Sequence, residues 1–177
     1  MLRNLFVFAV LLGTVNCQEE ESTPVDITLT NAAFNGPTAP IDGCPESTAA
    51  TVLEITQDET VTTDWFGSEP CACTGAAQSP DAYWEAEFDG ANKYEVTQVR
   101  LLARLRPTFS YTYDYMRGIK IFIDDQECHT IPDDSGLNGE WYEFECDNGA
   151  IKGDKIKLQQ QRDSKILFCG IEVKGVE

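Results

Sequence analysis

The chain has 177 residues, 42% of them hydrophobic, with 13 Lys and Arg against 30 Asp and Glu, one His and seven Cys. A formal charge of −17 excludes nucleic acid as a partner, because phosphate backbones are bound by clustered Lys and Arg, and it argues against an anionic membrane surface. The hydrophobic share excludes a disordered chain, and the single histidine, His129, argues against His-dependent catalysis and multi-His metal sites.

The first residues read as a secretory signal. Arg3 supplies a basic start, and Leu5 to Leu12 is an apolar run too short to span a bilayer, which takes about 20 residues. Cleavage after Cys17 fits the small residues Val15 and Cys17 and makes residues 1–17 the signal peptide. Residues 18–25 follow as an acidic disordered lead-in, and 26–177 form one domain. Removing Cys17 leaves Cys44, Cys71, Cys73, Cys128, Cys146 and Cys169, an even set suited to three disulfides in an oxidising compartment. No second apolar run and no Asn-x-Ser/Thr sequon follow, so a secreted, soluble protein without membrane insertion is expected.

The pattern from there on is β. Asp26–Leu29 is a weak first strand. Tyr83–Phe88 alternates, with Trp84, Ala86 and Phe88 on one face, and Thr97–Leu102 follows. Gly118–Asp124 puts three isoleucines on one face; Trp141–Cys146 and Lys155–Leu158 alternate again, and Ile166–Val173 closes the set. Turn signals lie between them at Asp89-Gly90, Pro132–Gly136, Asn148-Gly149 and Gly153-Asp154. Short strands at this spacing predict a β-sandwich or jelly roll. Trp84 and Trp141 are expected in or near its core, and His129 at the surface. The stretch from Gly43 to Pro80 is long and polar, so it needs ties, and Cys44, Cys71 and Cys73 all lie in it.

Charge is uneven. No Lys or Arg occurs between Arg3 and Lys93, and residues 18–92 carry 15 acids; residues 93–177 hold 12 Lys and Arg with 15 acids. The plain reading is a solvated acidic surface; the sharper one sends any anionic ligand to the later half.

Several landmarks occur in an order that resembles the F-type lectin (fucolectin) family, within the galactose-binding-like, discoidin-like jelly rolls. They are Ala39-Pro40-Ile41-Asp42-Gly43, Cys73-Thr74 followed by Trp84–Phe88, and Val99–Arg104 followed by a loop and Arg117–Ile123. The pair Cys128 and Cys146 and the terminal Cys169–Val173 complete the series. The resemblance covers about residues 25–176 and implies an all-β, disulfide-bonded jelly-roll sandwich. It also implies the pairs Cys128–Cys146 and Cys73–Cys169, leaving Cys71 for Cys44, with exchange of Cys71 and Cys73 as the alternative.

The same resemblance points to a ligand end. The family's sugar-binding His falls on Gly75 and its strand-end Arg on Arg104. The family's Asp two residues later falls on Arg106, and its second basic residue on Tyr115 or Arg117. Of the family's calcium side chains only Asp42 remains, a weak remnant, since calcium takes 6–8 oxygen ligands. No metal or other cofactor is therefore expected. The loop from Leu105 to Arg117 carries Phe109, Tyr111, Tyr113 and Tyr115 at every second position, between Arg106 and Arg117. Rings with hydroxyl tips beside Arg donors suit sugar faces or a protein hot spot; alternatively the aromatics pack on the sandwich edge.

The expected function is a secreted, noncatalytic recognition module that binds carbohydrate on cell surfaces or matrix. Its expected ligand residues are Arg104, Arg106, Tyr111, Tyr113, Tyr115 and Arg117. The second reading is a structural or protein-binding extracellular component that kept the scaffold and lost the sugar site. An enzyme is disfavoured, because the sequence has no Gly-x-Ser-x-Gly, no His-Glu-x-x-His and no phosphate-cradling glycine loop.

Overall fold

A computed structural model describes residues 23–35, 49, 51–54, 71–73, 82–90, 93–104, 115–133, 137, 139–162 and 164–177. Twelve strands and one short 3-10 turn (Thr51–Glu54) occur among them. The strands are β1 (Val25–Ile27), β2 (Leu29–Asn35), β3 (Ala72–Cys73), β4 (Tyr83–Phe88), β5 (Tyr94–Leu102) and β6 (Lys120–Ile123). They continue as β7 (Gln126–Thr130), β8 (Trp141–Glu145), β9 (Ile151–Gly153), β10 (Lys155–Gln159), β11 (Leu167–Phe168) and β12 (Gly170–Val176).

Two five-stranded antiparallel sheets make the sandwich. One runs β1-β12-β5-β8, with β9 also on β5; the other runs β2-β4-β10-β6-β7. A two-residue ladder, β11 with β3, lies outside both. The chain changes sheets at Thr28, whose carbonyl accepts the Asp89 amide at 2.8 Å, so the single strand expected at Asp26–Leu29 is two. The all-β disulfide-bonded sandwich read from the sequence is therefore present.

Alternation sets the inner faces. Trp84, Ala86 and Phe88 of β4, Ile156 and Leu158 of β10, and Ile121 and Ile123 of β6 are all buried. They meet Val99 and Leu101 of β5 and Ile171 and Val173 of β12 in one apolar core. Trp84 is fully enclosed: its indole N–H donates to the Ala49 carbonyl at 2.8 Å, and its ring meets Phe168 edge-on at 5.2 Å. Val96 is also buried, three residues before Val99, which breaks the two-residue period. The cause is a bulge: Lys174 faces Gln98 and Gly175 faces Val96, leaving Thr97 as the extra residue.

Trp141 lies near the core rather than in it. It shares strand parity with Glu143 and Glu145, while Tyr142 and Phe144 pack on the core. Trp141 thus lies half-buried on the outer face. His129 is half-buried rather than fully at the surface, with Nδ1 2.7 Å from Asp147 Oδ1 and its ring 5.3 Å from Phe144.

Among the described residues two disulfides are formed, Cys128–Cys146 and Cys71–Cys169. The second corrects the expected Cys73–Cys169 pairing in favour of its alternative. Ladder register decides it: Leu167 faces Cys73 and Phe168 faces Ala72, so one step further Cys71 faces Cys169, with Cα atoms 3.9 Å apart. Cys44 lies outside the described residues, as do residues 1–22 with the expected signal and most of the lead-in.

Away from the β5 end, one electrostatic clamp ties three turns. Lys93 Nζ lies 2.8 Å from Asp124 and 3.6 Å from Asp154, and the Asp154 amide donates to Asp124 Oδ1 at 3.1 Å. Partial burial works against the Asp124 charge, but the Lys93 ammonium and the Asp154 amide outweigh it and hold the carboxyl below its ordinary 3.8. The folded value is below the unfolded one, so this stabilisation is complete above the ordinary value and is lost as pH falls through the folded value. Asp124→Asn is expected to flatten that acid limb in urea unfolding between about pH 2 and pH 5. Asn tolerates the φ of 51° at this turn, so the variant isolates the charge. Identical acid limbs for both proteins would refute the assignment.

Candidate functional site

The site is assembled at the C-terminal end of β5. Leu102 ends the strand between Gly170 of β12 and Trp141 of β8, and its carbonyl accepts the Cys169 amide at 2.8 Å. Leu102 points away from the main core, into a satellite cluster with Cys71, Cys73, Leu167 and Cys169. Tyr115 and Trp141 pack against that cluster from its half-exposed side. The Cys71–Cys169 bridge thereby fixes the base on which two aromatic side chains rest.

Charged groups surround it. Arg100 faces Glu172 on one neighbouring strand and Glu143 on the other. Its Nη1 lies 2.7 Å from Glu172, its Nε lies 3.6 Å from Glu143, and its guanidinium sits 5.6 Å from the Trp141 ring centroid. Arg104, two residues beyond Leu102, is buried with 7% of its surface exposed. Lys165 Nζ sits 5.7 Å from the centre of the Tyr115 ring.

A single buried amide holds the neighbouring loops. The Gln160 side chain is fully enclosed; its Nε2 donates to the carbonyls of Tyr115 at 3.4 Å and Lys165 at 3.0 Å. Its Oε1 accepts the amides of Gln161 and Arg162 at 3.0 and 3.1 Å. One carboxamide therefore sets both the Tyr115 segment and the segment that carries Lys165. Arg117 follows, half-buried, and Gly118 turns the chain into β6 with a φ of 67° that favours glycine.

Of the ligand residues expected from the sequence, Arg104, Tyr115 and Arg117 are described. Tyr115 is brought to the cluster that contains Leu102, and Arg104 and Arg117 each follow two residues later in the chain. Arg106, Tyr111 and Tyr113 lie outside the described residues, as do Phe109, Trp65, Gly75 and Asp42. Sequence reasoning missed Trp141, Lys165 and Gln160. The shared parity of Trp141 with two glutamates was a signal for the first; nothing local marks the other two.

No family model matches the chain, and no curated protein matches it in sequence. Solved structures do. A fucose binding module of Streptococcus pneumoniae, SpX-3, superposes with a TM-score of 0.59 at 15% identity, covering 86% of this chain and 99% of that one. An F-lectin (fucolectin) from striped bass (Morone saxatilis) serum gives 0.57 at 16% identity over 86% of this chain. The fold is that of the F-type lectins. This chain covers 49% of the bass lectin, about half its length. The family 32 carbohydrate-binding module of Clostridium perfringens NanJ, solved with galactose, gives 0.54 at 11% identity. At these identities the F-type lectin likeness is one of fold, and the site must be argued from its own residues.

Proposed function

We propose that the protein is a secreted, noncatalytic carbohydrate-recognition module whose site is the C-terminal end of β5. Arg104, Tyr115 and Arg117 contact the ligand, together with Arg106, Tyr111 and Tyr113 from the segment that joins Arg104 to Tyr115 in sequence. The observation that carries the reading is the half-exposed pair Tyr115 and Trp141 on a disulfide-backed cluster that includes Leu102, with the buried Arg104 two residues further along the chain. Ring faces suit the apolar faces of a pyranose, and guanidinium donors suit its hydroxyls. Support also comes from neighbours in fold named as fucose-binding and galactose-complexed modules. Two disulfides suit export to an oxidising compartment.

The test is a glycan array followed by titration of the best ligand. Arg104→Ala combined with Tyr115→Ala is expected to weaken binding by about 30-fold or more, the scale of hot-spot losses. An array without signal, or affinity unchanged in the double variant, would refute the reading.

A second reading is a protein-binding extracellular component. The observation in its favour is that Gly75 and Gly170 stand where the resembling family places its sugar-binding His and a calcium-ligating Glu. Under that reading the array is blank, and a protein partner is lost on the same double substitution.

A further inference from the structure

A cleft of about 420 Å³ opens at the β6–β7 edge, in the sheet opposite to β5. The buried Ile131 and the exposed Pro132 line it together with Lys120, Thr130, Asp133, Gln161 and Arg162. We propose that this cleft is a second saccharide subsite, taking one neutral pyranoside unit. The inference deepens the carbohydrate reading and rests on it.

Donors and acceptors both occur among the residues that line the cleft with Ile131 and Pro132. Arg162, Lys120 and the Gln161 amide donate; the Asp133 carboxylate and the Gln161 and Thr130 oxygens accept. That is the lining expected of a pocket for a hydroxyl-rich ring. Charge argues against an acidic ligand. Arg162 Nη1 lies 3.3 Å from Asp133 Oδ1, and Lys120 is paired with Glu127, which also accepts the Thr130 hydroxyl at 2.7 Å. Each cation already faces a carboxylate, and an entering anion would meet Asp133.

The cleft is built rather than incidental. Gly118 lets the Arg162 side chain lie against the backbone: a Cβ there would come within 3.2 Å of Arg162 Cδ and 3.4 Å of Asp133 Oδ1. Backbone bonds fix Ile131, with the Gly118 amide donating to the Ile131 carbonyl and the Ile131 amide to the Ile119 carbonyl, both at 2.9 Å. Two of the lining residues, Gln161 and Arg162, are positioned by Gln160, whose Oε1 accepts both their amides. Because the same carboxamide donates to the Tyr115 carbonyl, the cleft and the β5 end are mechanically tied. Ordering groups before ligand arrives lowers the cost of binding.

The test is amide-resolved NMR on the full, oxidised chain. Neutral methyl glycosides of galactose, fucose and N-acetylglucosamine are titrated, with methyl glucuronide as the acidic arm. At least one neutral glycoside is expected to shift Gly118, Gln161 and Arg162 saturably. Asp133→Ala with Arg162→Ala is expected to weaken that response by about tenfold or more while leaving shifts at Tyr115 and Lys165 in place. Both residues are exposed, so the variant should fold, which its spectrum checks directly. Shifts at Tyr115 and Lys165 with none in the cleft would overturn the subsite and leave the first site standing. Silence at both overturns both. A cleft that answers only to the glucuronide, or whose response survives the double substitution, also overturns the proposal. A cleft response without one at Tyr115 supports the subsite and overturns the β5 assignment.

Discussion

Replacing Cys71 and Cys169 together with alanine is expected to destabilise the protein by about 4–5 kcal/mol and to lower its thermal midpoint by roughly 10–20 °C. The bridge joins residues 98 apart, and closing so long a loop removes more freedom from the unfolded chain than the 18-residue separation of Cys128 and Cys146 does. The same chain-entropy reasoning assigns the shorter bridge about 3 kcal/mol. Substituting both partners avoids leaving an odd thiol behind. The functional effect should exceed the global one, because the bridge is the floor under Tyr115 and Trp141. Sugar affinity is expected to fall at temperatures where the sandwich is still folded. Calorimetry on both double variants decides the first point: a smaller loss for the Cys71 pair than for the Cys128 pair would mean that loop length is not what sets its contribution.

Gln160→Ala is the second large effect, expected at about 3–5 kcal/mol. The substitution strips two carbonyls and two amides of the partner that a fully enclosed side chain provides. Each buried polar group left without a partner costs about 1–3 kcal/mol, less where water enters. Gln160→Glu separates the two halves of the role. A carboxylate still accepts from Gln161 and Arg162 but faces the Tyr115 and Lys165 carbonyls with no proton to donate. Burial and those carbonyls raise its folded pKa above the unfolded value, so its penalty is present above the folded value and is relieved as pH falls through it. Chemical denaturation across pH reads this directly. An alanine variant within about 1 kcal/mol of the parent would show that the loops hold without the hub.

The sequence was legible where alternation was plain. Tyr83–Phe88 and Gly118–Asp124 announced their buried faces through plain alternation, and Trp84 and the three isoleucines are enclosed as that pattern requires. Asp89-Gly90 and Asn148-Gly149 announced turns, and both glycines take positive φ. Trp141 was expected in or near the core from alternation; it shares parity with Glu143 and Glu145, so it misses the main core and packs half-buried on the satellite cluster instead. The resemblance carried by Val99–Arg104 and Cys169–Val173 led to the correct fold. It also preferred the wrong one of two cysteines, since Cys71 and Cys73 differ by one strand period and sit on the same face.

The chain by itself determined its β character, the inward faces of β4, β6 and β10, its acidic composition and a cysteine set suited to oxidation. Each of these depends on neighbours one or two positions away, or on composition, and so survives without knowledge of the fold. Tertiary structure alone decided which cysteine meets Cys169, that Thr97 is squeezed out as a bulge so that Val96 and Val99 are both buried, and that Gln160 joins Tyr115 to Lys165. Those outcomes are set by register between strands far apart in sequence, where a shift of one or two residues changes every partner while leaving the local pattern untouched.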